Sequence, residues 1–278
     1  MSKFNNIGFM QGRLSPTKAN KIQFFPEKYW KKEFSLANKL GLKNMEWTLD
    51  HKNLYKNPIF TEKGIREIRY LSKKYKVKIK TLTGDCFMQK PFWKFSNSKK
   101  YIEDLKKVIN ACGNLKIEYI IFPLVDNSSI KSKKEENKII SEFKKLNYIL
   151  SLNKVKILFE SNYPPKNLEK FIKKFDLKNF GINYDSGNSA SLNYDPDTEF
   201  SYYGRYIKNI HVKDRILKGK TIRLGEGNAN FKKVFKNIKK INYNKLLILQ
   251  TARSLIKNKD LEELKINMDY LKTYLNEK

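Results

Sequence analysis

The sequence predicts an α/β fold, a (β/α)8 barrel formed by residues 1–278 as one domain. Three observations predict it. Short apolar runs alternate with helix-like runs eight times, and no Ser/Gly linker or low-complexity segment interrupts the alternation. The length of 278 residues suits a closed barrel, which typically needs about 250. The segment after the first run, Gly8-Phe9-Met10-Gln11-Gly12-Arg13, lacks the GxGxxG loop that an open doubly wound sheet usually carries there.

The elements follow in order. Strands are expected at 7–10, 44–47, 77–82, 117–122, 155–160, 180–185, 207–213 and 246–250. The helices between and after them are expected at 27–40, 61–75, 98–112, 134–150, 165–175, 231–241 and 260–275, with a poorly defined segment around 200–206 after the sixth strand. Period decides the helices: Tyr101, Leu105, Val108 and Cys112 share one face, as do Ile139, Phe143, Leu146 and Leu150, and again Leu261, Leu264, Met268, Leu271 and Leu275. Gly41 and Gly113 stand where carboxyl-terminal caps are expected.

The formal net charge is +30. The excess is mostly Lys, accompanied by abundant Asn, Ile, Tyr and Phe, a mixture that fits the coding bias of an AT-rich genome. Pairs such as Lys31/Lys32, Lys73/Lys74, Lys144/Lys145 and Lys239/Lys240 fall on outward helix faces, so no dedicated nucleic-acid surface is expected. The charge would still raise the local concentration of an anionic substrate. The amino-terminal residues are polar, and no apolar run approaches the length of about 18 residues that a membrane span needs. A cytoplasmic protein with no membrane association is therefore expected; a homo-oligomer is compatible with the sequence. Cys86 and Cys112 are too few for a disulfide framework and too far apart for a CxxC site, and Cys112 is expected in the core.

Four polar residues close strand-like runs: Glu160, Asp185, His211 and Gln250. Carboxyl ends of barrel strands converge on the active site. Two carboxylates, an imidazole and an amide oxygen suit a divalent cation such as Mn2+, Co2+, Mg2+ or Zn2+. Strand alternation places Asn183 and Gly181 in phase with Asp185, and Asn209 and Ile207 in phase with His211. Tyr184, Ile182 and Ile210 are then expected to pack against helices. The alternative for each acid alone is a helix cap or a lysine partner.

Together these pieces resemble the sugar phosphate isomerase/epimerase family of xylose isomerase-like TIM barrels, over nearly the whole chain. The resemblance is carried by residues 8–16 (GFMQGRLSP), Phe159-Glu160-Ser161-Asn162, Asn183-Tyr184-Asp185-Ser186-Gly187-Asn188, His211-Val212-Lys213-Asp214-Arg215 and Leu224-Gly225-Glu226-Gly227. It implies a metal held at Glu160, Asp185, His211 and position 250, and proton transfer beside a carbonyl on a small carbohydrate or sugar phosphate. The family usually has Glu where Gln250 stands, and often His where Asn188 stands. An amide can ligate but cannot act as a base. Glu160 then remains the ligand able to move a proton, with Asp214, Glu226 or Asp85 as helpers. Gln11, Arg13, Glu46, Trp47, Asp85, Asp126, Asn162, Asn188, Arg215 and Arg253 form the expected substrate shell. The arginines could hold a phosphate or carboxylate bidentately. Competing readings are a sugar-binding protein without turnover, a polyol lyase or dehydratase, and a metal nuclease like the DNA-repair endonucleases of related fold. Two histidines are too few for the multinuclear zinc site of such a nuclease.

Overall fold

The structure, a computed structural model, describes residues 6–17, 22–95 and 98–276. Eight parallel strands close into a barrel: β1 (Ile7–Met10), β2 (Asn44–Thr48), β3 (Lys78–Thr83), β4 (Tyr119–Leu124), β5 (Lys156–Ser161), β6 (Phe180–Asp185), β7 (Ile207–Val212) and β10 (Leu247–Leu249). β1 pairs with β10 and closes the ring. Two short strands, β8 (Asp214–Arg215) and β9 (Thr221–Ile222), form an antiparallel hairpin after β7. Among the described residues, no helix is long and apolar enough to cross a membrane.

The outer layer contains α1 (Trp30–Lys39), α2 (Glu62–Tyr75), α3 (Asp85–Gln89), α4 (Ser98–Leu115), α5 (Lys133–Lys144), α6 (Asn147–Asn153), α7 (Pro165–Ile172), α8 (Ser186–Ser191), α9 (Pro196–Tyr203), α10 (Phe231–Lys240) and α11 (Asp260–Asn276). Side-chain caps start several of them: Thr61 accepts from the Gly64 amide, Ser132 from Glu135 and Asp195 from Thr198. The paired lysines from 31 to 240 named above are all exposed.

Outward strand residues pack on the helices. Phe122, Phe143, Phe159, Phe171, Phe175 and Phe180 form a continuous aromatic wall with ring centroids 4.8–6.4 Å apart. Tyr184, Ile182 and Ile210 belong to the same outer core, as expected. A much smaller apolar group, Met10, Leu246 and Ile248, is separate from it.

Several local expectations change. The expected helix at 134–150 is two helices, because Leu146 N–H bonds to the Phe143 carbonyl in a tightened turn and the Asn147 side chain caps the Lys144 carbonyl. Gly113 lies inside α4 rather than capping it; a Cβ there would sit 2.2 Å from Asn153 Oδ1, so close packing explains the glycine. Gly41 does follow α1 with φ +73°. The segment at 186–206 is largely helical, as α8 and α9. Ile207 is not in phase with His211: β7 pairs Ile207 with Ile182 and then Asn209 with Asn183, so Lys208 is bulged and Ile207 turns outward.

Candidate metal centre

Three strand ends bring Glu160, Asp185 and His211 together. Asp185 pairs in register with His211 across β6 and β7, and Glu160 sits one residue before the end of β5. Each offers one ligand atom, and these atoms lie within 4.8 Å of one another. His211 Nδ1 is 3.0 Å from Glu160 Oε2 and 4.0 Å from Asp185 Oδ2. The two His211 separations suit ligands that share a cation at about 2.0–2.2 Å from each, which lie at most about 4.4 Å apart.

Their surroundings fix them. His211 Nε2 is 2.8 Å from Glu46 Oε1, and neither side chain reaches solvent. With Nε2–H donated to Glu46, the Nδ1 lone pair faces the carboxylates of the group. Burial alone would lower the His211 pKa, but Glu46 and Glu160 outweigh it and hold the ring at about 10. A divalent cation would take the place of the second ring proton. Asn183 Nδ2 donates to Glu160 Oε2 at 2.7 Å, and Asn188 Nδ2 donates to Oε1 at 2.7 Å. Asn209 donates to Asn183 Oδ1, extending the inward polar row. Asp185 does double duty: Oδ1 caps α8 through the Asn188 amide, and Oδ2 lies 3.3 Å from Lys213 Nζ.

Gln250 lies at the end of β10, buried, with Nε2 donating to Gln23 Oε1 at 3.3 Å. Its Oε1 is a buried acceptor with no partner among the described residues. Two carboxylates and an imidazole whose Nδ1 faces them, 3.0 Å from Asn183 Nδ2, are donors that suit a divalent cation, and the orphaned Gln250 oxygen is a further oxygen donor at the end of the neighbouring strand.

Glu160 and Gln250 also line a pocket of about 380 Å³. Arg13, Gln23, Asp85, Asp126, Asn188, Lys213 and Arg215 line it too. The other expected shell residues lie elsewhere. Glu46 is wholly buried behind the His211 ring, and Gln11 accepts the Thr48 amide away from the pocket lining. Trp47 packs between Phe25 and Trp30 in the outer layer, its indole donating to Asn57. Asn162 donates to Ser129, and Arg253 donates to the Ser15 and Ile22 carbonyls; neither lines the pocket.

The two further acids expected to move protons are also absent from the lining. Asp214 is buried and accepts the backbone amides of Arg215, Gly225, Gly227 and Ala229, which ties the hairpin loop together. Glu226 is exposed and pairs with Arg223. Sequence reasoning missed Lys213 and Gln23 as pocket residues and Glu46 as the partner of His211. Glu46 and His211 are 165 residues apart, so no local pattern joins them; Lys213, two residues after His211, carried the only nearby signal.

Residues 34–274 match the family described as xylose isomerase-like TIM barrel, and the chain belongs to it. An uncharacterized protein of Methanocaldococcus jannaschii, MJ1311, is 30% identical over 114 residues; the match covers 40% of this chain and 36% of that protein. The chain thus matches little more than a third of the length of that relative. Among solved structures, the fold is similar to the IOLI protein with a bound zinc atom (TM-score 0.75, 13% identity, 98% of this chain and 100% of that one). It is similar to D-psicose 3-epimerase with D-tagatose from Clostridium cellulolyticum H10 (TM-score 0.72, 14% identity, 97% and 99%). A xylose isomerase domain protein from Planctomyces limnophilus gives a TM-score of 0.75 at 13% identity, covering 99% and 98%. At these identities the likeness establishes the fold.

Proposed function

We propose that the protein is a divalent-metal-dependent isomerase or epimerase of a small sugar or sugar phosphate, acting by proton transfer beside a carbonyl. One observation carries the reading: Glu160 belongs both to the buried ligand group and to the lining of the adjacent pocket. A divalent cation held by Glu160, Asp185, His211 and Gln250 would supply Lewis-acid stabilisation of negative charge developing on the substrate oxygens.

The chain's own residues supply the rest. Asn183 and Asn188 hold the two Glu160 oxygens, each with one amide N–H, and leave lone pairs free to take a proton. Glu46 orients the His211 ring, and Lys213 orients Asp185. Arg13, Lys213 and Arg215 give the pocket a cationic wall suited to hydroxyl-rich or anionic substrates. Burial lowers the Arg13 pKa, to about 9, with Arg253 adding to the effect, but the group stays charged at neutral pH. The similarity to D-psicose 3-epimerase with D-tagatose supports ketohexoses as first probes.

The test is metal analysis joined to a deuterium-exchange screen over ketoses, aldoses and their phosphates. Exchange of one carbon-bound hydrogen that depends on the added cation is expected. A second reading, a sugar-binding protein without turnover, is favoured by the amide at position 250. Cation binding with no exchange into any sugar of the panel would establish it instead.

A further inference from the structure

Glu160 can take a proton from carbon, but inversion at that carbon needs a second group to return one, and Gln250 cannot do so. We propose that Asp85 is this second proton-transfer group, so that the chain draws its acid–base pair from the ends of β5 and β3. The inference rests on the function proposed above.

Asp85 opens α3 immediately after β3 and lines the same pocket as Glu160. It is 8% exposed. Its hydrogen-bond partners are neutral: Gln23 Nε2 donates to Oδ2 at 2.6 Å, and Thr83 Oγ1 to Oδ1 at 3.4 Å. No cation is salt-bridged to it among the described residues. Asp126 also lines the pocket but is exposed on the turn after β4, and the buried acids nearby are committed. Asp185 caps α8 and lies beside Lys213; Asp214 holds four amides; Asp50 accepts from the Phe25 amide and the Gln89 side chain.

Burial raises the Asp85 carboxyl to about 7, with Asp50 adding to the rise, Gln23 opposing it, and Glu160 and Glu46 contributing less. Both protonation states are then populated near neutrality, as a general acid–base group requires. Gln250 acquires a positioning role. Its Nε2 donates to Gln23 Oε1, which fixes the Gln23 amide so that its own N–H points at Asp85. Arg13 Nη2 meets the same Gln23 oxygen at 3.4 Å.

The step balances in protons. Glu160 takes the proton from the carbon beside the carbonyl, and the C–H electron pair becomes the carbon–carbon double bond of an enediolate. The proton on Asp85 then passes to that carbon as the carbonyl reforms. Glu160 ends protonated and Asp85 ionised, and exchange with solvent resets both. No oxidant or reductant is consumed.

The test uses the full chain loaded with Mn2+ in D2O, with D-fructose, D-tagatose and D-allulose as probes. Two rates are followed: epimer formation, and deuterium entering the recovered starting sugar. Asp85→Asn should lose at least about a hundredfold in epimer formation, while deuterium exchange persists in whichever of D-fructose and D-allulose turns its C3–H toward Glu160 and is lost in the other epimer. Asp85→Ala with added formate, a carboxyl able to occupy the vacated space, should recover epimer formation. Melting temperature and bound Mn2+ of both variants check folding. Equal loss of both rates in every probe with no formate rescue, or no loss of either, overturns the inference and leaves the proposed function standing. A wild-type chain that exchanges nothing overturns the function and this inference with it.

Discussion

Phe159 and Glu160 are adjacent on β5 and face opposite ways. Phe159 points outward, within 5.3 Å of the Phe143, Phe171 and Phe175 ring centroids, in a wall that spans three strands and two helices. Glu160 points inward to His211 and Asp185. The same alternation separates Ile182 from Asn183, Tyr184 from Asp185, and Ile210 from His211. On β5, β6 and β7 one face supplies apolar burial and the other supplies the buried polar groups of the site. Stability and chemistry are therefore separable residue by residue, although they share a backbone.

Breaking the outer face should have the largest effect on stability. Phe159→Ala is expected to cost about 3–5 kcal/mol, read from urea unfolding, while the folded fraction still binds the same amount of metal. Loss of metal in proportion to stability would erase the distinction between the faces.

Glu33 tests where the faces meet. It lies on α1, yet its carboxyl accepts the Gly12 and Leu14 amides and the Ser15 hydroxyl, holding the loop that carries Arg13. Burial raises its pKa from 4.5 to about 7, against the pull of those hydrogen bonds. The folded chain thus binds the Glu33 proton more tightly than the unfolded chain. Its contribution to stability is full below pH 4.5 and is lost as the pH rises through about 7. Between those limits the wild type should lose on the order of 2–3 kcal/mol relative to Glu33→Gln, measured by denaturant melts at each pH. Parallel pH profiles for the two chains would contradict this.

The inner face gives the smallest change in free energy and the sharpest change in chemistry. Glu46→Gln removes the charge behind His211 and should weaken metal binding about 10–100-fold, measured by calorimetric titration. Unchanged affinity would mean that the contact between Glu46 and His211 does not tune the centre.

Much of the barrel was legible in the sequence, because each short apolar run and each helical stripe is a local signal. β1 and β6 fall on their expected limits, and the helices keep their inward faces. The features that escaped are those set by distant partners. The Lys208 bulge arises from pairing with β6, and Gly113 is explained by Asn153, on α6. In the 186–206 segment, Asp195-Pro196 is a helix start that short length and weak amphipathicity obscured. The three ligand candidates were legible because they end strands. The pocket residues were less so: strand position marks a mouth but not which loop folds over it, and Glu46, Asp214 and Gln23 owe their places to contacts that no local spacing encodes.

The most direct test is titration of the chelator-treated chain with Mn2+, Co2+ and Zn2+, in the wild type and in Asp185→Asn and His211→Ala. One cation per chain is expected for the wild type, with binding lost in His211→Ala and strongly weakened in Asp185→Asn while both variants stay folded. A wild-type chain that takes up no cation, or variants that bind it as tightly, would contradict the metal centre.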